Sequence, residues 1–346
     1  MDFIDQMQGK QSVEYFATPL ILEYASVCGS KENDGPLREH FDECCTDDMF
    51  GSDTWEKAES AMQKRTLETL FKKSGLKESD IKYIFAGDLL GQLIASTFGI
   101  IDYEIPFFGL YGACSTMGES LSLGSMAVAG GYAKKVITMA SSHFASAEKT
   151  FRFPLEYGNQ RPYSATWTVT GCGAVVLGES GNERLVPKAK IKGVTTGKIV
   201  DYGVMDSMNM GACMAPAAAD VIRANLEDFN IKPDYYDRII TGDLGYVGQK
   251  ILFDLLGAIN IDITKNHMDC GIEIYDSEKQ DTHAGGSGCG CSASVLCGYI
   301  LEKISSGEWK RVLFVPTGAL LSPVSFNEGQ SVPGIAHAVI IENMEV

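Results

Sequence analysis

The sequence predicts an α/β protein built twice from one folding unit, and three internal echoes carry that prediction. Tyr83-Ile-Phe-Ala-Gly-Asp-Leu89 returns as Arg238-Ile-Ile-Thr-Gly-Asp-Leu244, Gly131–Ile137 is answered by Gly307–Leu313, and Gly173-Ala-Val-Val176 by His337-Ala-Val-Ile340. The pairs keep one order along the chain. So long a spacing excludes solenoids and propeller blades and leaves two fused α/β units. The halves are expected at 1–180 and 181–346, packed about a pseudo-twofold axis, because no Pro/Gly/Ser-rich hinge separates them.

The elements follow in order. Gly29 to Asp53, with the acidic run Asp42 to Asp48, reads as a loop. Asp53 with Glu56 three residues on has a capping-box pattern. A helical apolar stripe follows (Trp55, Ala58, Met62, Leu70, Phe71), closed by Lys72, Lys73 and Gly75. Ile81 to Gly87 is a buried strand, Leu89 to Phe98 a helix and Phe107 to Tyr111 a short strand. Gly112 to Glu119 turns into a small-residue helix that runs to Gly130-Gly131. Val136 to Ala140 is the next strand, Phe144 to Trp167 an excursion and Thr168 to Gly178 a returning strand. The second half repeats the plan. It has a helix over Ala217 to Phe229, a strand over Arg238 to Thr241, a helix over Gly245 to Leu256, and a glycine-rich turn feeding a helix over Thr282 to Ser306. Strands over Arg311 to Val315 and Ala336 to Glu342 flank the excursion Thr317 to Gly334.

The 346 residues are 45% hydrophobic and 21% charged, enough to bury one or two cores. A net charge of -16 repels phosphate backbones and anionic headgroups, so nucleic acid is not an expected partner. No apolar run has the length of a spanning helix, and no signal core opens the sequence. An intracellular setting is expected, with the ten cysteines as reduced thiols.

In α/β sheets ligands gather at the carboxyl ends of strands, which puts Cys114 and His143 on the functional edge. A cysteine between a strand and the first turn of a helix feels the positive end of that helix, so Cys114 is expected to have a lowered pKa and to be a good nucleophile. Catalysis also needs a base and an oxyanion stabiliser beside it. His143 and His283 stand equally between a functional and an ordinary hydrogen-bonded role, whereas His337 reads as structural and His40 and His267 as surface residues. Cys289-Gly-Cys291 lacks the convergent pairs of a zinc site, and Gly285 to Gly290 lacks the Gly-Lys-Ser/Thr end of a phosphate loop. No metal or cofactor is expected.

These residues resemble the thiolase superfamily. Within it they are similar to the stage V sporulation protein AD family, through Ala86-Gly-Asp88, Gly109 to Thr116, Ser141-Ser-His143, Gln160-Arg-Pro162, Trp167 to Gly171, Asn209 to Ala212, Met214 to Ala219, Thr241 to Gly245, Gly285 to Ser292 and Pro316 to Ser322. The resemblance runs from about residue 10 to the end of the sequence. It implies a duplicated, five-layered αβαβα fold and a homodimer. It also implies a non-enzymatic function: binding of dipicolinic acid (pyridine-2,6-dicarboxylate) for its uptake into the developing spore, with membrane proteins of the same operon as partners. The protein would then sit in the forespore, peripherally on the spore inner membrane through those partners.

Cys114 falls where the thiolase nucleophile would be. The rest of the set departs from the pattern: Ala284 follows His283 where proline is expected, and Pro316-Thr-Gly-Ala319 replaces the second cysteine. The alternative is an acyl transferase that uses Cys114. For a flat aromatic dianion, Arg161 would pair with a carboxylate, Trp167 or Phe153 would face the ring, and the amides after Cys114 would point at an anion. Asp88, Glu119 and Asp243 are expected to line the same region together with His143 and His283. Their charge would repel a free dianion, a conflict that a calcium chelate of the ligand removes.

Overall fold

The computed structural model describes residues 5–151, 161–179 and 185–346. The boundary expected between 180 and 181 and the candidate Phe153 lie outside them. The first half contributes strands β1 (Leu20–Cys28), β2 (Tyr83–Gly87), β3 (Phe107–Gly109), β4 (Lys135–Ser142) and β5 (Gly171–Gly178), with helices α1 (Trp55–Ser74), α2 (Thr116–Ala129) and α3 (Phe144–Phe151). The second contributes β6 (Ala189–Thr195), β7 (Arg238–Thr241), β8 (His267–Asp269), β9 (Arg311–Val315) and β10 (Ala338–Glu342), with α4 (Met210–Asp228), α5 (Gly245–Gly257) and α6 (Cys289–Val295).

The strands lie in the order β8-β7-β9-β10-β6-β1-β5-β4-β2-β3. Read outward from the middle, each half runs first, fifth, fourth, second, third strand. The echoed segments therefore occupy equivalent places: β2 and β7, β4 and β9, β5 and β10. The join was not evident in the sequence. It is made by β1 and β6, which pair antiparallel through Ile21–Ala189 and Leu20–Lys190. β1 is a nearly continuous buried run, whereas β6 alternates Lys190 and Lys192 with buried Ala189 and Ile191, and the two carry no echo of one another.

Strand alternation sorts the core into layers. Ile137, Met139, Ala174 and Val176 face outward onto α1 residues Met62, Leu67 and Leu70. Leu313, Val315, Ala338 and Ile340 face Ala215, Ile222 and Leu252 of α4 and α5. The intervening residues, Val136, Ala140, Val175, Leu177, Val312, Phe314, Val339 and Ile341, share a central layer with Met117 and Leu121 of α2 and Ala293 and Val295 of α6. The result is helix, sheet, paired helices, sheet, helix. The small residues of α6 serve close packing, since a Cβ on Gly173 would lie 2.2 Å from the Ala293 carbonyl oxygen and one on Gly290 2.3 Å from that of Gly171. No helix among the described residues is long and apolar enough to cross a membrane.

Local readings shift in three places. Thr54, not Asp53, caps α1: its hydroxyl accepts from the Lys57 amide at 3.3 Å, while Asp53 pairs with the Lys57 ammonium at 2.8 Å. The helix expected from Leu89 begins only at Ile94, after a turn in which Gln92 and Leu93 have positive φ. The helix expected from Ala217 starts at Met210, capped by the Asn209 side chain, and carries Pro216 within it.

Candidate functional site

Cys114 sits in a one-turn 3-10 segment, Ala113–Ser115, between β3 and α2. The turn is held tightly. Ser115 Oγ donates to the Gly112 carbonyl at 2.6 Å, Thr116 Oγ1 to the Ala113 carbonyl at 2.7 Å, and Ala113 adopts φ 49°. Gly318 backs the turn so closely that a Cβ there would lie 2.5 Å from the Gly112 oxygen.

The group facing the sulfur is a carboxylate. Asp243, in the β7–α5 connection, accepts from Thr317 Oγ1 at 2.8 Å and from the Gly288 amide at 3.0 Å, and it hydrogen-bonds the Cys114 thiol. Burial pushes Asp243 up to about 7. Cys114 is only 6% exposed; burial first, then the charge of Asp243 and the neighbouring Cys289, hold its thiol well above the ordinary range. The expected activated thiolate is therefore corrected: desolvation and a facing carboxylate outweigh the helix terminus.

Beside the sulfur lies a cavity of about 490 Å³ where the starts of the two central helices converge. Its apolar wall comes from Leu89, Tyr111, Phe151, Met210, Leu320, Leu321 and Pro323. Thr150, Thr168, Ser287 and Ser322 add hydroxyl-bearing side chains, and Ala113, Gly288 and Ala319 also line it. No acid, base or histidine lines it among the described residues.

The other sequence candidates lie elsewhere. Asp88 is fully buried, accepting from the Leu90 amide and from the amide and hydroxyl of Ser96. Glu119 packs against Gly112, one carboxylate oxygen buried without a partner. His143 has both nitrogens committed: Nδ1 accepts from the Ala145 amide at 3.2 Å, which leaves Nε2 to donate to the Asp48 carbonyl at 2.8 Å. Burial lowers its pKa. Trp167 and Arg161 meet each other, with the guanidinium carbon 4.9 Å from the ring centre. Arg161 also binds Asp281, which His283 contacts at 3.1 Å. His283 further bonds the Pro162 carbonyl at 2.9 Å.

His337 accepts from the Gly197 amide at 3.3 Å, in keeping with a structural role. His267 is not a surface residue: it contacts Thr241 at 3.0 Å and Gln249 at 3.1 Å, and burial pushes it down to about 4. The site thus retains a sulfur and a hollow without the paired histidines of bond-making chemistry. Sequence reading missed the apolar wall from 320 to 323 and Met210. The first comes from a connection without periodic signal, and Met210 opens α4 seven residues before the helix start read from the sequence.

The model of the stage V sporulation protein AD family matches residues 9–342. Stage V sporulation protein AD of Bacillus subtilis (strain 168) is 40% identical over 338 residues, covering 97% of this chain and 98% of its own. Human mitochondrial 3-ketoacyl-CoA thiolase in complex with CoA shares the fold with a TM-score of 0.60 at 11% identity, over 96% of this chain and 99% of its own. The 3-oxoacyl-[acyl-carrier-protein] synthase III of Aquifex aeolicus VF5 does so with a TM-score of 0.54 at 14% identity, over 94% and 99%. A thiolase fold, a family match across nearly the whole length and a cavity beside Cys114 agree, and the chain belongs to the stage V sporulation protein AD family.

Proposed function

We propose that this sporulation protein binds dipicolinic acid, as its calcium chelate, in the cavity beside Cys114, and that it makes and breaks no bond in doing so. The observation that carries the reading is the pairing of an open, apolar-walled cavity with a thiol locked against Asp243 and no histidine in the cavity lining among the described residues. Its volume falls in the range of small-molecule sites. A nucleophile needs a base to take its proton and a stabiliser for the developing charge. Asp243, pushed up to about 7 and bonded to the thiol, has the basicity to take its proton, but both of its oxygens already accept, from Thr317 and Gly288, and its negative charge gives a developing oxyanion no stabilisation.

Charge decides the form of the ligand. A free dianion would leave water for a wall without a cation among the described residues and with Asp243 behind it, at a cost of several kcal/mol per uncompensated charge. The one-to-one calcium chelate is neutral overall and presents a flat ring to Tyr111, Phe151 and Met210. Isothermal titration with dipicolinate is expected to show binding that strengthens at least about tenfold when calcium is present, or about 1.4 kcal/mol. Leu321→Trp, which fills the cavity, is expected to abolish it. Equal affinity with and without calcium would reject the chelate, and unchanged binding in Leu321→Trp would move the site elsewhere. The thiolase fold and the placement of Cys114 favour the acyl transferase as the second reading. A stable acyl adduct on Cys114 after incubation with acyl-CoA, read by mass spectrometry, would establish it in place of the first.

A further inference from the structure

Behind the wall that Thr168 and Ser287 present to the cavity, the two halves meet in a cluster of cations around one indole. Trp167 stacks on Phe144, centroids 4.0 Å apart and planes 7° from parallel. The Lys31 ammonium lies 4.2 Å from the Trp167 ring centre and the Arg161 guanidinium carbon 4.9 Å from it. Lys31 Nζ donates to the Gln280 carbonyl at 2.6 Å, and Gln280 Nε2 returns a bond to the Lys31 carbonyl at 2.7 Å, so the lysine is pinned in place.

Arg161 is the unusual member. Its side chain is 3% exposed, and a single nitrogen, Nη2, meets acceptors: the Asp281 carbonyl and carboxylate, both at 2.9 Å. Nε and Nη1 are buried with no hydrogen-bond partner among the described residues. A guanidinium held this way has lost water on two donors and regained nothing for them, a cost of about 1–3 kcal/mol per orphaned donor. The local countercharge is thin. Asp281 is 78% exposed and shared with His283, and Glu32, the charge that acts most on Lys31, commits Oε1 to the Tyr275 hydroxyl and the Thr170 amide and is itself pushed by burial up to about 7. Asp34 also acts on Lys31. The two cations repel one another, which adds to burial in lowering the pKa of Lys31.

We infer that Arg161, Lys31 and Trp167 form a second ligand site, separate from the cavity, for a small anion bearing carboxylate or phosphate oxygens. Such oxygens would satisfy Nε and Nη1 of Arg161 and neutralise the lysine beside it. The indole keeps the guanidinium in place through its ring face. Because Trp167 is one of only three tryptophans, it also reports occupancy.

The test titrates inorganic phosphate, and separately dipicolinate, into the full chain at constant ionic strength, following tryptophan fluorescence and binding heat. For at least one probe the wild type is expected to give a saturable signal that Arg161→Leu weakens by roughly tenfold to a hundredfold, the worth of one or two charge-assisted hydrogen bonds. Lys31→Met should weaken it less, and Trp167→Phe should remove the fluorescence change while keeping the heat. Circular dichroism without ligand screens each variant for folding; where Arg161→Leu does not fold, Lys31→Met and Arg161→Lys carry the comparison. A response to phosphate alone marks a phosphate site. A response to both probes that survives Leu321→Trp marks a general oxyanion site independent of the cavity. No saturable signal from either probe, or equal affinity in the folded variants, would overturn the inference. Failure of the cavity reading appears separately, as dipicolinate binding indifferent to Leu321→Trp.

Discussion

At Cys114 two influences on a thiol's acidity oppose one another. A helix start favours the thiolate by at most about 1–2 kcal/mol, whereas full burial disfavours it by up to several pKa units. The facing Asp243 adds to burial, and the thiol stays protonated. Asp243→Asn removes the charge, keeping an oxygen for the Gly288 amide and turning its NH2 toward the Thr317 hydroxyl, which can accept. Alkylation of Cys114 by iodoacetamide is therefore expected to accelerate about tenfold or more, with the midpoint of its pH-rate profile moving down. An unchanged profile would mean that burial alone sets the thiol. Cys114 was legible as a special residue from its place between strand and helix. Its partner was not, because the contact joins residues from opposite halves and no local pattern encodes it.

At the scale of elements, the edge strand β3 stands out. All three of its residues are exposed, and Phe107 and Phe108 show 37% and 50% of their surface. An unpaired, aromatic edge is a template for another strand. The homodimer implied by the superfamily resemblance would continue the sheet across it. Phe108→Glu is expected to convert a dimer to a monomer in light scattering while leaving the circular dichroism spectrum intact; a wild-type monomer would sink this. Amphipathic α1 and the three echoed strand pairs were readable from periodicity. Strand β1 was overlooked, since a nearly continuous run buried on both faces lacks the alternation that marks a strand, and β6 was missed although Lys190 and Lys192 alternate with buried Ala189 and Ile191.

For the whole molecule, burial of carboxyls couples stability to pH. Glu59, bonded to Ser141 and Ser146, is pushed up to about 8, and Glu32 and Asp243 to about 7, burial being the largest cause in each. Unfolded, these groups ionise near pH 4. Between about 4 and 8 the folded chain thus holds more protons than the unfolded one, so their contribution to stability falls as pH rises, by on the order of a few kcal/mol. The melting temperature is expected to drop from mildly acidic to mildly alkaline solution. Glu59→Gln, whose amide oxygen accepts from Ser141 while its NH2 donates to Ser146, should flatten that slope; parallel slopes would contradict the assignment.

The linear order of residues was enough to determine a duplicated α/β fold, the turn that presents Cys114, and the likeness to one family, since repeats, periodicity and glycine punctuation are local signals. Which groups meet was decided only in three dimensions. Packing two sheets around paired helices brought Asp243 to the sulfur, drew the 320–323 loop over a cavity, and carried Arg161, Trp167 and His283 into a different cluster. The reason is physical: burial and the charge across an interface between distant segments set the chemistry of each group, and neither quantity exists until the chain has folded.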